Sequence, residues 1–292
     1  MEFSAVPFSQ ARETTTLQMP EHDPLPGALD ETPQDSGAFP RTLAPAWHTA
    51  VLIAGIVALS IVGAMRPAAV TGSSKRLMTY AATAAMELAL LGWVALGLRL
   101  KRIPFRSLLG AVPGDFRSIA QDSGIAFVFW FGSLMVLATL GVLWTGIEAA
   151  VTHQGAAIRA GKPLQPSPSE QKTLRTLEQL APSSGEEIAG WVMLCLLAGF
   201  VEELVFRGYL QGQFTAWAQG KIAAGVVFSA LLFGVAHGYQ GVRNMVLLAV
   251  FGLLFSLLAL FRRSLRPCIF AHSWHDLVAG LALGLLRSHH IL

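Results

Sequence analysis

Glu202 and Glu203 stand side by side in an apolar run, Leu197-Ala-Gly-Phe-Val-Glu-Glu-Leu-Val-Phe-Arg207. Neighbouring residues of a helix project about 100° apart, so the two carboxylates cannot both face one partner. Arg207 follows Glu203 by four residues and can pair with it on one helical face. That frees Glu202 to face a cavity and act there as a general base. For this segment alone, an equally good reading is that the three charges end a span at the membrane interface, where charge is inexpensive.

Two histidines shift the balance. In Phe233-Gly-Val-Ala-His237 a spacing of four stacks an aromatic ring and an imidazole on one face. In His272-Ser-Trp-His-Asp276 the same spacing lets a carboxylate orient the imidazole. An ionised group at the bilayer centre costs from about 2.5 to well over 10 kcal/mol, so such residues persist mainly in cavities or pairs. One carboxylate and two imidazoles can hydrolyse a bond in two ways. They can hold zinc with an open fourth position, through Glu202, His237 and His272. Alternatively, Glu202 and His237 can activate a water directly while His272 and Asp276 stabilise the oxyanion. The sequence leaves both open, with a divalent metal, zinc first, as the expected cofactor. A G-x-S-x-G elbow, an H-E-x-x-H helix and a pair of intramembrane Asp are all missing, so serine and other metallo- or aspartyl chemistries lack their residues.

In order, E-E-x-x-x-R at Glu202–Arg207, F-x-x-x-H at Phe233–His237 and H-x-x-x-D at His272–Asp276 resemble the CAAX-prenyl-protease and bacteriocin-processing (CPBP, Abi) family of intramembrane endopeptidases. Gly208 and Tyr209 fit that family's F-R-G-Y run, and the resemblance covers about residues 185–287. It implies a helical membrane fold with a conical cavity and a peptidase that cuts a membrane-associated, possibly lipidated, peptide or protein. By motif position Glu202 would activate water or bind metal, with His237 as its partner. His272 would be a third ligand or oxyanion donor, and Glu203 and Arg207 would support them. Asp276 stands where the family usually carries Asn. A carboxylate there favours a bound cation and weakens an oxyanion-donor role.

The elements that must position these residues are helices in lipid. Of 292 residues, 53% are apolar or aromatic and 13% charged, and the mean hydropathy is +0.53, too apolar for a soluble domain of this length. About seven runs are long enough to cross a hydrocarbon core roughly 30 Å thick: 46–65, 77–98, 119–145, 187–206, 221–237, 243–261 and 266–287. The fourth can continue through Gly208–Trp217. The expected fold is therefore all-α, a polytopic transmembrane bundle with an intramembrane cavity. Residues 1–45, with seven acids against two Arg, read as a disordered acidic tail. Residues 46–146 form a three-span part, 147–186 a polar loop with a short surface helix over Glu170–Leu180, and 187–292 the catalytic core. Lys and Arg in alternate loops favour a cytoplasmic N-terminus in a bacterial inner membrane. The net charge of +3 comes from those loops, which argues against nucleic acid as a partner.

A straight fifth span would carry His237 away from Arg207, so either 208–220 dips into the membrane or that span starts deep. The Glu pair and both His are expected to converge regardless. Glu87, midway along the second run, could be a proton or ion site, but nothing polar in the same span answers it, so it reads as a structural hydrogen bond to another helix. His48, His153, His289 and His290 read as solvated, and Trp47, Trp93, Trp144, Trp191 and Trp217 as an interfacial belt. Gly234-x-x-x-Gly238 and Gly280-x-x-x-Gly284 fit close packing within the chain. Cys195 and Cys268 read as small hydrophobes rather than a disulfide. The functional alternatives are a transporter or a non-catalytic scaffold using the same Glu and His.

Overall fold

The structure, a computed structural model, describes residues 41–65, 72–111, 114–151, 160 and 168–288. The acidic tail up to residue 40, His153, His289 and His290 lie outside the described residues. Among those described, all regular structure is helical apart from one antiparallel bridge, Gly110 to Ser264. The helices are α1 (Ala46–Met65), α2 (Ser73–Leu100), α3 (Phe116–Val151), α4 (Pro168–Leu180), α5 (Gly185–Glu203), α6 (Gln211–Trp217), α7 (Ile222–Ala236), α8 (Val242–Arg262) and α9 (Arg266–Ser288). A π-helical segment, Leu204–Leu210, joins α5 to α6. The fourth run thus continues as one helical rod, Gly185–Trp217.

Six of these units are long and apolar enough to span a bilayer, so the chain is a polytopic helical membrane protein. The seventh expected span is not one of them. Its helix, α7, has only 15 residues, or roughly 22 Å of rise, short of a hydrocarbon core about 30 Å thick. This shortness resolves the topological difficulty. Glu202 lies fifteen residues before Trp217, where the rod ends, and His237 lies fifteen after Ile222, where the next helix begins. The turn between them, with Gln219 and Gly220 at positive φ, reverses the chain. Equal rise on both sides returns His237 to the level of Glu202. The 3₁₀ turn Gly238–Gln240 and Gly241, at φ 87°, then reverse the chain again into α8.

Sequence signals account for the ends. Ser184 caps α5 by accepting from the Glu187 backbone N–H, and Glu187 accepts from the Ser183 backbone N–H and pairs with Arg76 of α2 at 2.8 Å. At the opposite end of the bundle Asp122 of α3, buried, binds Arg262 of α8 at 2.8 Å and Arg266 of α9 through its other oxygen. Two arginines that count towards orientation are therefore also ties between helices.

Small residues set how closely the helices approach. A Cβ built at Gly199 of α5 would lie 2.9 Å from the Ser273 backbone nitrogen of α9, and one at Gly234 of α7 would lie 2.8 Å from the Ala249 Cβ of α8. Gly280 accommodates the Trp191 ring and Gly284 the Pro182 carbonyl, so the small-residue motifs do pack within the chain. Trp191 and Trp93 are interior struts instead of belt residues. The Trp191 Nε1–H donates to the Asp276 carbonyl and the Trp93 Nε1–H to the His48 carbonyl, each at 3.2 Å. Both cysteines are buried and free. Cys268 belongs to a contiguous core with Val201, Leu204, Val205, Phe233, Phe251 and Phe255.

Gly199→Val is expected to destabilise the protein by about 1–3 kcal/mol, as overpacking does, because α5 and α9 must part at Ser273. Thermal unfolding in detergent measures this, and an unchanged transition would contradict the close approach.

Candidate active site

The site begins with the direction each carboxylate takes from the rod. Glu203 is wholly buried and its Oε1 accepts two hydrogen bonds, from Arg207 Nη1 at 2.9 Å and from His272 Nδ1 at 2.7 Å. Arg207 is itself enclosed. Its guanidinium carbon lies 4.3 Å from the Phe233 ring centroid and 5.2 Å from that of Phe255, in cation–π reach. Phe233 therefore holds the arginine from beneath while it carries His237 one turn further on. The π segment begins immediately after the Glu pair, and the Ser229 hydroxyl of α7 donates to the Phe206 carbonyl within it at 2.6 Å. Such segments are rare inside α-helices and frequently mark functional sites.

Glu202 takes the other direction. It lines two adjoining cavities, of about 330 and 280 Å³, and its Oε2 is buried without a hydrogen-bond partner. His237 lines the same two cavities. Its Nδ1–H donates to the Phe233 carbonyl at 2.9 Å, which leaves Nε2 as the nitrogen available to the cavity. His237 and His272 stand 4.8 and 6.1 Å from the Phe233 ring, so no more than about 11 Å separates them. The Nε2 of His272 lies 3.8 Å from Glu202 Oε2 and 3.7 Å from Asp276 Oδ2. The Glu pair and both His therefore lie together, and Asp276 stands beside them. One assignment changes: the carboxylate that hydrogen-bonds His272 is Glu203, with Asp276 at ion-pair distance.

Other residues join the site without having been singled out as such. Glu87 of α2 is 3% exposed and lines both cavities. No hydrogen bond from another helix reaches its Oε2, contrary to the structural role its sequence position suggests. Thr83, one turn earlier, and Tyr239, beyond α7, also border both cavities. His275 lines the larger one and packs on Phe251 at 4.9 Å. His48 is not solvated either. It is buried, stacked 4.5 Å from Trp93, and its Nδ1 lies 3.2 Å from the hydroxyl of Tyr209, which also bonds Thr49 at 2.8 Å. Tyr209 of the F-R-G-Y run thereby ties the rod to α1.

Zinc takes the kinds of ligand that Glu202, His237 and His272 offer, and both imidazoles are anchored through Nδ1 as metal-bound histidines are. Their spacing is less suited: among the described residues no three His, Cys, Asp or Glu side chains are grouped so as to hold one ion.

Residues 184–278 match the family model described as type II CAAX prenyl endopeptidase, Rce1-like, and this segment contains all three motifs. No curated protein and no solved structure matches the chain.

Replacing Arg207 with Ala removes one of the two donors to the buried Glu203 Oε1 and should cost about 3–5 kcal/mol of stability, the penalty for breaking a buried pair. Thermal unfolding reads this loss. A melting temperature equal to that of the unaltered protein would contradict the enclosure of the pair.

Proposed function

We propose that this protein is an intramembrane endopeptidase that hydrolyses a peptide bond in a lipidated, C-a-a-X-type substrate through water activated by Glu202 and His237. The carrying observation is the division of labour in the Glu pair. Glu203 binds Arg207 and His272 through one oxygen and borders neither cavity, while Glu202 has a buried oxygen with no hydrogen-bond partner on the wall of both. A general base needs such an unengaged acceptor, held by rigid neighbours.

In this reading water lies between Glu202 and the Nε2 of His237. Glu202 takes a proton as the water oxygen bonds the scissile carbonyl carbon. His272, protonated at both ring nitrogens, donates through Nδ1 to Glu203 and offers its Nε2–H to the oxyanion. As the C–N bond breaks, Glu202 returns the proton to the leaving nitrogen, giving an acid and an amine. Asp276 stands 3.7 Å from the same Nε2 and helps keep a proton there, a supporting role distinct from that of an oxyanion donor. These steps are written without an ion, because among the described residues no three His, Cys, Asp or Glu side chains are grouped so as to hold one.

A divalent cation, zinc first, is the second reading. The anchoring of both imidazoles through Nδ1 favours it, and Glu202, His237 and His272 would hold the ion, which would supply Lewis-acid activation of the water. The setting is an integral membrane protein, and we place it in a bacterial inner membrane with a peptide or protein partner and no nucleic acid.

The test is cleavage of a fluorogenic peptide with a prenylated C-a-a-X end by detergent-purified protein, with metal content measured on the same samples. His237→Ala and His272→Ala should each lose at least about 100-fold in rate, as expected when an acid–base group is removed, with no zinc bound in the unaltered protein. Full activity in either variant would overturn the peptidase reading. Near-stoichiometric zinc, lost in both variants, would replace direct water activation by the metal reading.

A further inference from the structure

The two cavities meet at a seam. Glu202, His237, Tyr239, Thr83 and Glu87 border both, whereas Trp191 and Asp276 belong to the larger alone and Ile56 and Leu59 to the smaller alone. An extended peptide running from one cavity into the other must cross this seam. There it meets the hydrolytic pair on α5 and at the end of α7, and the Thr83–Glu87 strip of α2.

Glu87 is the anomaly in this strip. A carboxylate that is 97% out of solvent is normally met by a cation or by donors. Here Oε2 has no hydrogen-bond partner, and among the described residues neither cavity is lined by Lys or Arg. Arg207, the permanent cation beside the Glu pair, is committed to Glu203. An unpartnered acceptor at the crossing point of a peptide channel therefore asks for a donor from the substrate. Once Glu202 and His237 face the water and His272 faces the carbonyl oxygen, the scissile N–H is the donor that lacks an acceptor.

Resting on the peptidase reading, the geometry points to Glu87 as a substrate-facing residue that accepts a hydrogen bond from the scissile N–H and pairs with the amine released when that bond breaks. The C–N bond is cleaved as described above, and the proton reaching nitrogen still comes from water through Glu202. Glu87 orients the nitrogen lone pair as the carbonyl becomes tetrahedral, and it stabilises the positive charge that collects there. It undergoes no net protonation.

The experiment compares two fluorogenic prenylated C-a-a-X peptides that are identical except that the scissile N–H is replaced by oxygen in the second, making it an ester. On the amide, Glu87→Met should lower kcat at least tenfold, and Glu87→Gln, which keeps an acceptor without the charge, should fall between. On the ester the loss should shrink for both variants, because no N–H is there to hold. Glu87→Met should melt at or above the native temperature, since it removes a buried polar group that has no hydrogen-bond partner. Equal losses on amide and ester, or full activity of Glu87→Met on the amide, would overturn the assignment while leaving the peptidase reading intact. Failure of the unaltered protein to cleave either peptide would remove the peptidase reading and this assignment with it.

Discussion

One carboxylate oxygen, Oε1 of Glu203, holds the site together. It accepts from the guanidinium four residues along its own helix and from an imidazole 69 residues away on α9. A buried charge costs several kcal/mol in desolvation unless its partners are well placed, so this oxygen is a strong constraint on where three elements can lie. Phe233 of α7 and Phe255 of α8 face the same guanidinium, which brings four helices and the π segment to one point. Gly199 makes the arrangement possible by letting α9 approach α5 one turn below Glu203. With Glu203 committed in this way, its neighbour is left facing the cavities with an unengaged oxygen.

The second constraint is depth. A peptidase working within a helical bundle has to bring polar groups from distant helices to one level, although each helix is free to cross the whole bundle. Here the rod overshoots the site and the chain returns by a helix of only 15 residues. His237 is therefore the end of a helix rather than its middle, and its Nδ1–H meets a carbonyl of its own last turn. A reversal beside the site also places Tyr239 and Gln240 on the cavity wall. The result is a seam where carboxyl groups gather and, among the described residues, no Lys or Arg lines the wall, a setting that favours a cationic or N–H-rich visitor.

Much of this was legible in the sequence. Helix periodicity separates Glu202 from Glu203 and pairs the latter with Arg207, and the spacing of four joins Phe233 to His237 and His272 to Asp276. Apolar run length marks the six long spans. What was not legible depends on relations between helices. A run of 15 to 17 apolar residues reads as a span until its rise is compared with the rod before it. Glu87 reads as a structural hydrogen bond because no pattern along α2 tells which cavity its face borders. His48 reads as solvated at the start of a span, yet Trp93 and Tyr209, 45 and 161 residues away, enclose it. The choice of Glu203 over Asp276 as the hydrogen-bond partner of His272 follows from the approach of α9 to α5, which Gly199 permits but does not announce.

The central claim, that two adjacent glutamates do different work, is tested most directly by measuring thermal unfolding and peptide cleavage on Glu202→Gln and Glu203→Gln side by side. Glu203→Gln should melt well below the native protein, because it weakens the bonds to both Arg207 and His272. Glu202→Gln should melt at or above the native temperature and lose cleavage. Equal destabilisation by both substitutions, or full cleavage by Glu202→Gln, would contradict the claim.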